Sequence, residues 1–188
     1  MSARPRLTVD LDALAANYRR LADEAPGAEI AAVVKADGYG LGLAPVARTL
    51  FAAGARRFFV ADVEEAQSLA AILPDAVVYV LGGFATSVRD AFRGGRLRPV
   101  LNTPTQVRAF AALARSERPP AALQVDSGMT RLGVSVAALD DLRADLAALE
   151  LDFLVSHLAC ADEPDPAFSR GQRARFEEAR RLVPHLPA

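Results

Sequence analysis

The sequence predicts an α/β fold: an incomplete (β/α)8 barrel of the TIM type, with about six βα units present. Three observations lead there. Short apolar runs alternate along the chain with alanine- and leucine-rich helical stretches, the signature of βαβ crossovers and a parallel sheet. Each apolar run ends in a polar or glycine position, namely Lys35, Asp62, Gly82-Gly83, Asn102, Asp126 and His157. In parallel α/β folds the ligand site lies at the carboxyl ends of the strands, so these positions form the expected rim. Finally, 188 residues over six units give about 31 per unit, against roughly 250 residues over eight units in a typical barrel. That count stops two units short of closure.

The elements are predicted in order along the chain. Asp10 precedes Leu11, Leu14, Tyr18 and Leu21, an N-cap followed by apolar positions three or four apart, which predicts a helix over residues 11–23 ended by Ala25-Pro26-Gly27. Strands are predicted at Ile30 to Val34, Arg57 to Ala61, Val77 to Leu81, Arg98 to Leu101, Leu123 to Val125 and Phe153 to Ser156. Helices are predicted between them at Ala44 to Ala53, Val63 to Leu73, Ser87 to Arg93, Thr105 to Arg115, Val136 to Leu149 and Arg170 to Leu182. Gly54, Pro74 and Gly94-Gly95 stop the first three. No linker or change of composition divides the chain, so residues 1–188 are expected to form one domain.

Composition narrows the function. A hydrophobic content of 52% argues for a globular chain, and 22 Lys and Arg against 23 Asp and Glu leave a net charge of -1. No basic field is available to hold nucleic acid or an anionic membrane, which favours a small-molecule substrate. The single cysteine, Cys160, has no partner for a disulfide, and no Cys/His set has zinc spacing, so no metal is expected. Met1 to Thr8 lacks an apolar signal core and no window approaches 18 apolar residues. A cytoplasmic location with no membrane span is the expectation.

Four polar residues stand out as site candidates. Lys35 closes the apolar run Ile30 to Val34 and opens Ala36-Asp37-Gly38-Tyr39-Gly40-Leu41-Gly42. An amine that forms a Schiff base must be neutral part of the time, which desolvation in a cleft promotes; the alternative is a lysine reaching solvent from a sheet edge. Tyr39, flanked by glycines, is placed to set its hydroxyl on a phosphate oxygen or to pack over the loop. Arg131, within Val125-Asp126-Ser127-Gly128-Met129-Thr130-Arg131-Leu132-Gly133, suits a phenolate or carboxylate, unless it is simply solvated. His157 ends a strand where an imidazole could meet a cofactor ring, although alone it reads as structural. Asp62, Asn102 and Asp126 are expected to cap the helices after them. Cys160 and His185 read as structural or surface residues, and the acidic turn Asp162-Glu163-Pro164-Asp165-Pro166 as a solvated loop.

Three blocks, Val33 to Gly42, Val125 to Gly133 and Ser156 to Glu163, resemble alanine racemases in order and at family-like spacing, as do Asn17 and Val100-Leu101-Asn102. The resemblance implies a pyridoxal 5′-phosphate enzyme that interconverts L- and D-alanine, supplies D-alanine for peptidoglycan, and works as a cytoplasmic homodimer. By position, Lys35 would hold the cofactor as an aldimine and act as a catalytic base, and Tyr39 would bond its phosphate. Arg131 would face the phenolic oxygen, His157 would lie beside the pyridine ring, and Leu81 would be an apolar cofactor contact.

The chain departs from the family in two respects. The position of a carbamylated lysine that often supports the arginine falls on Gln124, whose neutral amide can hydrogen-bond Arg131 but cannot supply the same charge. The chain also ends at Ala188, shortly before the family's serine-containing phosphate segment and its C-terminal β domain with the catalytic tyrosine. On that basis residues 1–188 are expected to be a truncated barrel domain without the second base, and inactive alone. A non-catalytic fragment or pyridoxal phosphate carrier, and an amino-acid racemase of broader specificity, are the alternative expectations.

Overall fold

The structure, a computed structural model, describes residues 6–183. The chain divides into two compact units between Val78 and Tyr79, inside the third strand.

The first unit opens with α1 (Leu11–Glu24), capped by Asp10, whose Oδ1 accepts the Ala13 amide at 2.9 Å. This is the predicted helix, extended by one residue. The predicted strand at Ile30 to Val34 contracts to β1 (Ala32–Val33), because the Ile30 carbonyl is taken by the Tyr18 hydroxyl at 2.9 Å. β1 pairs in parallel with β2 (Arg57–Val60), Ala32 opposite Phe58 and Val33 opposite Phe59. Along β2, Phe58 and Val60 are buried and their neighbours are half-buried, the period-two pattern of a strand covered chiefly on one side. Between the two strands lie the single turn α2 (Lys35–Tyr39) and α3 (Leu43–Ala52), which buries Val46, Ala47 and Leu50. The unit continues through α4 (Val63–Ile72), capped by Asp62 as predicted, to the start of β3 (Val77–Val80). The Val77 amide donates there to the Arg56 carbonyl at 3.1 Å.

The second unit is organised around β5 (Ala121–Asp126), of which the first five residues are buried. A parallel strand covered on both faces must be apolar nearly throughout, and Ala121-Ala122-Leu123-Gln124-Val125 departs from that only at Gln124. β5 pairs in parallel with β4 (Leu97–Leu101), with β7 (Leu151–Val155) and, near its carboxyl end, with the two-residue β6 (Val134–Ser135). The connection after β3 is a 3-10 helix, Thr86–Phe92, and α5 (Pro104–Ala111) follows β4. Phe84 packs against Phe110 and Phe92 with ring centroids 5.0 and 6.0 Å apart, forming the aromatic part of this core. The predicted helix at Val136 to Leu149 is broken into two 3-10 turns, Val136–Ala138 and Asp140–Leu142, and the short α6 (Arg143–Ala147). The last described helix is α7 (Ala167–Leu182).

At the amino end of the second unit's strands, Arg98 and Asp152 form a partly buried ion pair at 2.7 Å, and the Tyr79 hydroxyl donates to the same carboxylate at 2.7 Å. Burial alone would lower the Arg98 guanidinium, but the hydrogen bond and charge of Asp152, helped by Tyr79, outweigh it and hold it above the ordinary arginine range. Charge placed at this end of a parallel α/β sheet serves stability, since ligands meet the opposite end.

Candidate active site

The polypeptide leaves β1 at Val34, whose amide still donates to the Phe59 carbonyl at 2.9 Å, and enters a left-handed turn at Lys35. Ala36, Asp37 and Tyr39 have φ of 53°, 52° and 57°, in sequence with Gly38 and Gly40 at 63° and 80°. Glycine density flags such a turn, but three non-glycine residues in the left-handed region carry a cost of roughly 1–2 kcal/mol each, so other groups must hold them. Two carboxylates do so. Glu65 accepts the Ala36 amide at 2.7 Å through Oε1 and the Ala61 amide at 2.8 Å through Oε2, tying the Lys35 turn to the end of β2. Asp37 Oδ1 accepts the Leu43 amide at 2.6 Å, fixing the entry to α3. Lys35 is half-buried at the head of this turn, and Tyr39 is 62% exposed.

In the second unit, the loop from β5 to β6 carries Arg131. The sequence predicts that Asp126 caps a helix; there is none beside it, and its Oδ1 instead accepts the Gly128 and Thr130 amides, each at 2.9 Å. Thr130, immediately before Arg131, has φ of 57°, an uncommon conformation for a β-branched residue. Gln124 reaches this loop by donating to the Leu132 carbonyl at 3.3 Å. Its contact is with the backbone beside Arg131, where the sequence suggests the guanidinium itself. His157 follows β7 and is exposed.

Asn102 also departs from expectation. Thr103 is the N-cap of α5, with Pro104 and Gln106 completing the pattern of a helix start. Asn102, 2% exposed, turns its amide the other way and donates to the Leu81 carbonyl at 2.7 Å and the Val100 carbonyl at 2.9 Å. Gln106 continues the clamp, accepting the Asn102 backbone N–H at 2.8 Å and donating to the Gly82 carbonyl at 3.2 Å. Leu81, half-buried after β3, is therefore held by the end of β4. The sequence shows Asn102 as a polar strand end but gives no sign that its partner lies 21 residues away. Glu65 escapes sequence reasoning for the same reason, its bond to Ala36 spanning 29 positions.

A chemical division emerges. Asp37, Glu65, Gln106, Gln124, Asp126 and the side-chain NH2 of Asn102 shape the strand-end loops, while the buried Asn102 Oδ1 is left without a partner among the described residues. The Lys35 amine, Tyr39 hydroxyl, Arg131 guanidinium and His157 ring have no hydrogen-bond or ion-pair partner among the described residues. These four are half-buried or exposed at the ends of preformed loops, where water satisfies them and a ligand can reach them. Condensation of the Lys35 amine with an aldehyde, and anion recognition at Tyr39 and Arg131, are what these groups can offer. Cys160 does not join them: its thiol is pushed up by partial burial and then by the nearby carboxylates of Glu163 and Asp162, which disfavours the thiolate. No cluster of three or more metal-ligating side chains occurs among the described residues, and no described helix is long and apolar enough to cross a membrane. His185 lies outside the described residues.

Comparison with known proteins adds an independent line. Residues 9–187 match the family model described as alanine racemase, N-terminal domain. The alanine racemase of Methylobacterium nodulans is 50% identical over 187 residues, covering 97% of this chain and 50% of that protein. That of Methylobacterium sp. strain 4-46 is 47% identical over 194 residues, covering 97% and 51%. Among solved structures, the alanine racemase of Bartonella henselae with covalently bound pyridoxal phosphate superimposes with a TM-score of 0.86 at 33% identity, covering 96% of this chain and 53% of that one. The fold class is the incomplete barrel that the sequence predicts. The chain spans about half the length of the curated relatives it matches.

Proposed function

We propose that this chain, which belongs to the alanine racemase N-terminal domain family, is the cofactor-holding part of an enzyme that interconverts L- and D-alanine, with Lys35 as cofactor anchor and catalytic base. The observation that carries the reading is Lys35, a half-buried residue whose amine is unpaired among the described residues, at the head of a left-handed turn braced by Glu65 and Asp37. The bracing fixes the backbone from which the amine projects, while leaving the amine itself uncommitted.

The remaining residues divide the work by chemistry. The Tyr39 hydroxyl can donate to a phosphate oxygen, and the Arg131 guanidinium can hold a phenolic oxygen in its anionic form. His157 offers a flat imidazole face to an aromatic ring, and Leu81 offers an apolar wall set by Asn102. Pyridoxal 5′-phosphate, when bound, supplies an electron sink that acidifies the α-proton of an amino acid. Lys35 Nζ then takes or returns that proton on one face of the amino acid. Inversion needs a second group on the opposite face, which the family resemblance implies is a tyrosine. Tyr18 donates to Ile30 and Tyr79 to Asp152, and Tyr39 is assigned to phosphate in this reading, so Lys35 is the one proton-handling group assigned in this chain. Supply of D-alanine to peptidoglycan, a cytoplasmic setting and a homodimer belong to the same proposal and rest on the family resemblance.

Lys35 gives the direct test. The purified protein is incubated with pyridoxal phosphate, reduced with borohydride and mapped by peptide mass spectrometry. The added mass is expected on the peptide containing Lys35; labelling elsewhere, or none, overturns the proposal.

A further inference from the structure

We propose that Gln172 is a positioning residue which, from inside α7, locks the Arg131 loop and the His157 loop into a single arrangement. Gln172 is 0% exposed, a fully buried amide on a helix whose other buried residue is Ala179. A glutamine there is costly unless its amide is satisfied, and it is satisfied at both ends. Oε1 accepts the Ala159 amide at 2.9 Å, and Nε2 donates to the His157 carbonyl at 3.0 Å and to the Ser127 hydroxyl at 3.2 Å. The amide orientation is dictated by these partners, because a flipped amide would set donor against donor at Ala159 and acceptor against acceptor at His157.

The directions of the remaining bonds follow from proton counting. Ser156 Oγ has one proton and gives it to the Val125 carbonyl at 2.9 Å. Across the 2.7 Å contact between the two serines, Ser127 must then be the donor and Ser156 the acceptor. Ser127 in turn receives its hydrogen bond from Gln172. A one-way chain therefore runs from Gln172 Nε2 through Ser127 and Ser156 to the backbone of β5. It ties the start of the Arg131 loop to the end of β7. Arg175, one turn further along α7, donates Nε to the Ser127 carbonyl and adds a second hold on the same residue. Neither loop can shift without opening one of these bonds.

The functional consequence rests on the reading of Arg131 and His157 as cofactor-facing groups, whereas the locking itself does not. Two measurements separate them. In the cofactor-free protein, Gln172→Met keeps volume but removes every amide bond, and is expected to speed hydrogen exchange at Ala159 and also at Gly128 and Thr130. In the protein with pyridoxal phosphate, the same variant is expected to weaken cofactor affinity about tenfold or more, by analogy with the hydrogen-bond partners that orient metal ligands, while Lys35 remains labelled at saturation. Should Gln172→Met not fold, Ser127→Ala cuts the chain at its middle link and is read in the same way at Ala159 and Thr130. Faster exchange confined to residues 157–159, with 128 and 130 unchanged, overturns the coupling. Coupled exchange with unaltered cofactor affinity overturns the positioning role. Absence of Lys35 labelling in the unsubstituted protein points instead to failure of the cofactor reading.

Discussion

Replacing Gly133 by alanine tests how the Arg131 loop is closed. A Cβ built on Gly133 would lie 2.5 Å from the Asp126 nitrogen, 2.7 Å from the Val125 carbonyl carbon and 3.1 Å from the Asp126 Cα. All three are backbone atoms of β5, which is paired to β4, β6 and β7 and has little freedom to retreat. The residue also sits at φ of 118°, outside the range alanine tolerates. Backbone strain of about 1–3 kcal/mol and overpacking of about 1–3 kcal/mol together give a destabilisation of roughly 2–6 kcal/mol. For a chain of this size that is a fall of about 4–24 °C in Tm. Gly40→Ala is the internal control: its φ is 80°, but nothing lies within 4 Å of the added carbon. It should therefore cost only the conformational part, about 1–2 kcal/mol. Thermal unfolding followed by circular dichroism compares the two. If Gly133→Ala melts within about 2 °C of Gly40→Ala, the backbone clash is not what fixes the loop and the reasoning fails.

Glu65→Ala removes two charge-assisted bonds at a partly exposed site and is expected to cost about 2–3 kcal/mol in urea unfolding. Glu65→Gln should lose at least half as much, since its NH2 must face an amide; a neutral effect of both would mean that Asp37 alone holds the Lys35 turn. Asp152→Ala leaves the Arg98 guanidinium partly buried without its carboxylate and is expected to destabilise by about 2–4 kcal/mol, scaled down for the pair's remaining exposure. Because Arg98 is held above the ordinary arginine range, its contribution is fully present below that range and lost only as pH rises through the raised value. The loss on mutation should therefore be the same at pH 6 and pH 9, and a marked difference would contradict it. Alkylation of Cys160 by iodoacetamide should accelerate with a midpoint above that of a free thiol, and a midpoint below it would refute the carboxylate effect of Glu163 and Asp162.

The strand-helix alternation is legible in the sequence because glycine, proline and capping residues punctuate it, and Asp10 and Asp62 cap the helices they are expected to cap. The stretch from Val136 to Leu149 misleads for a physical reason. Val136, Leu139 and Leu142 recur at intervals of three, the period of a 3-10 helix, and the bonds Leu139 to Val136 and Leu142 to Leu139 obey that period. A three-residue interval also fits an α-helical face, so pattern alone favours the commoner element. The candidate site residues Lys35, Tyr39, Arg131 and His157 are proposed from their place at strand ends and in motifs. The residues that shape their loops cannot be picked out in this way. Glu65, Gln106 and Gln172 look like ordinary helix residues, and their roles exist only once folding brings distant backbone groups to them.

The pairing of β6 with β5 makes the Arg131 segment a noose. The chain departs from Asp126, passes through residues 127–133, and returns to lie beside Val125 and Asp126 again, so its entrance and exit are fastened to the same two residues. Closing a slightly longer noose costs little, since doubling its length adds only about 0.6 kcal/mol. By loop closure alone, insertions between Met129 and Leu132 would thus cost little beyond the Asp126 bond to Thr130, while moving the Arg131 guanidinium relative to the end of β5. The length of this segment is therefore set only weakly by the closure of the noose.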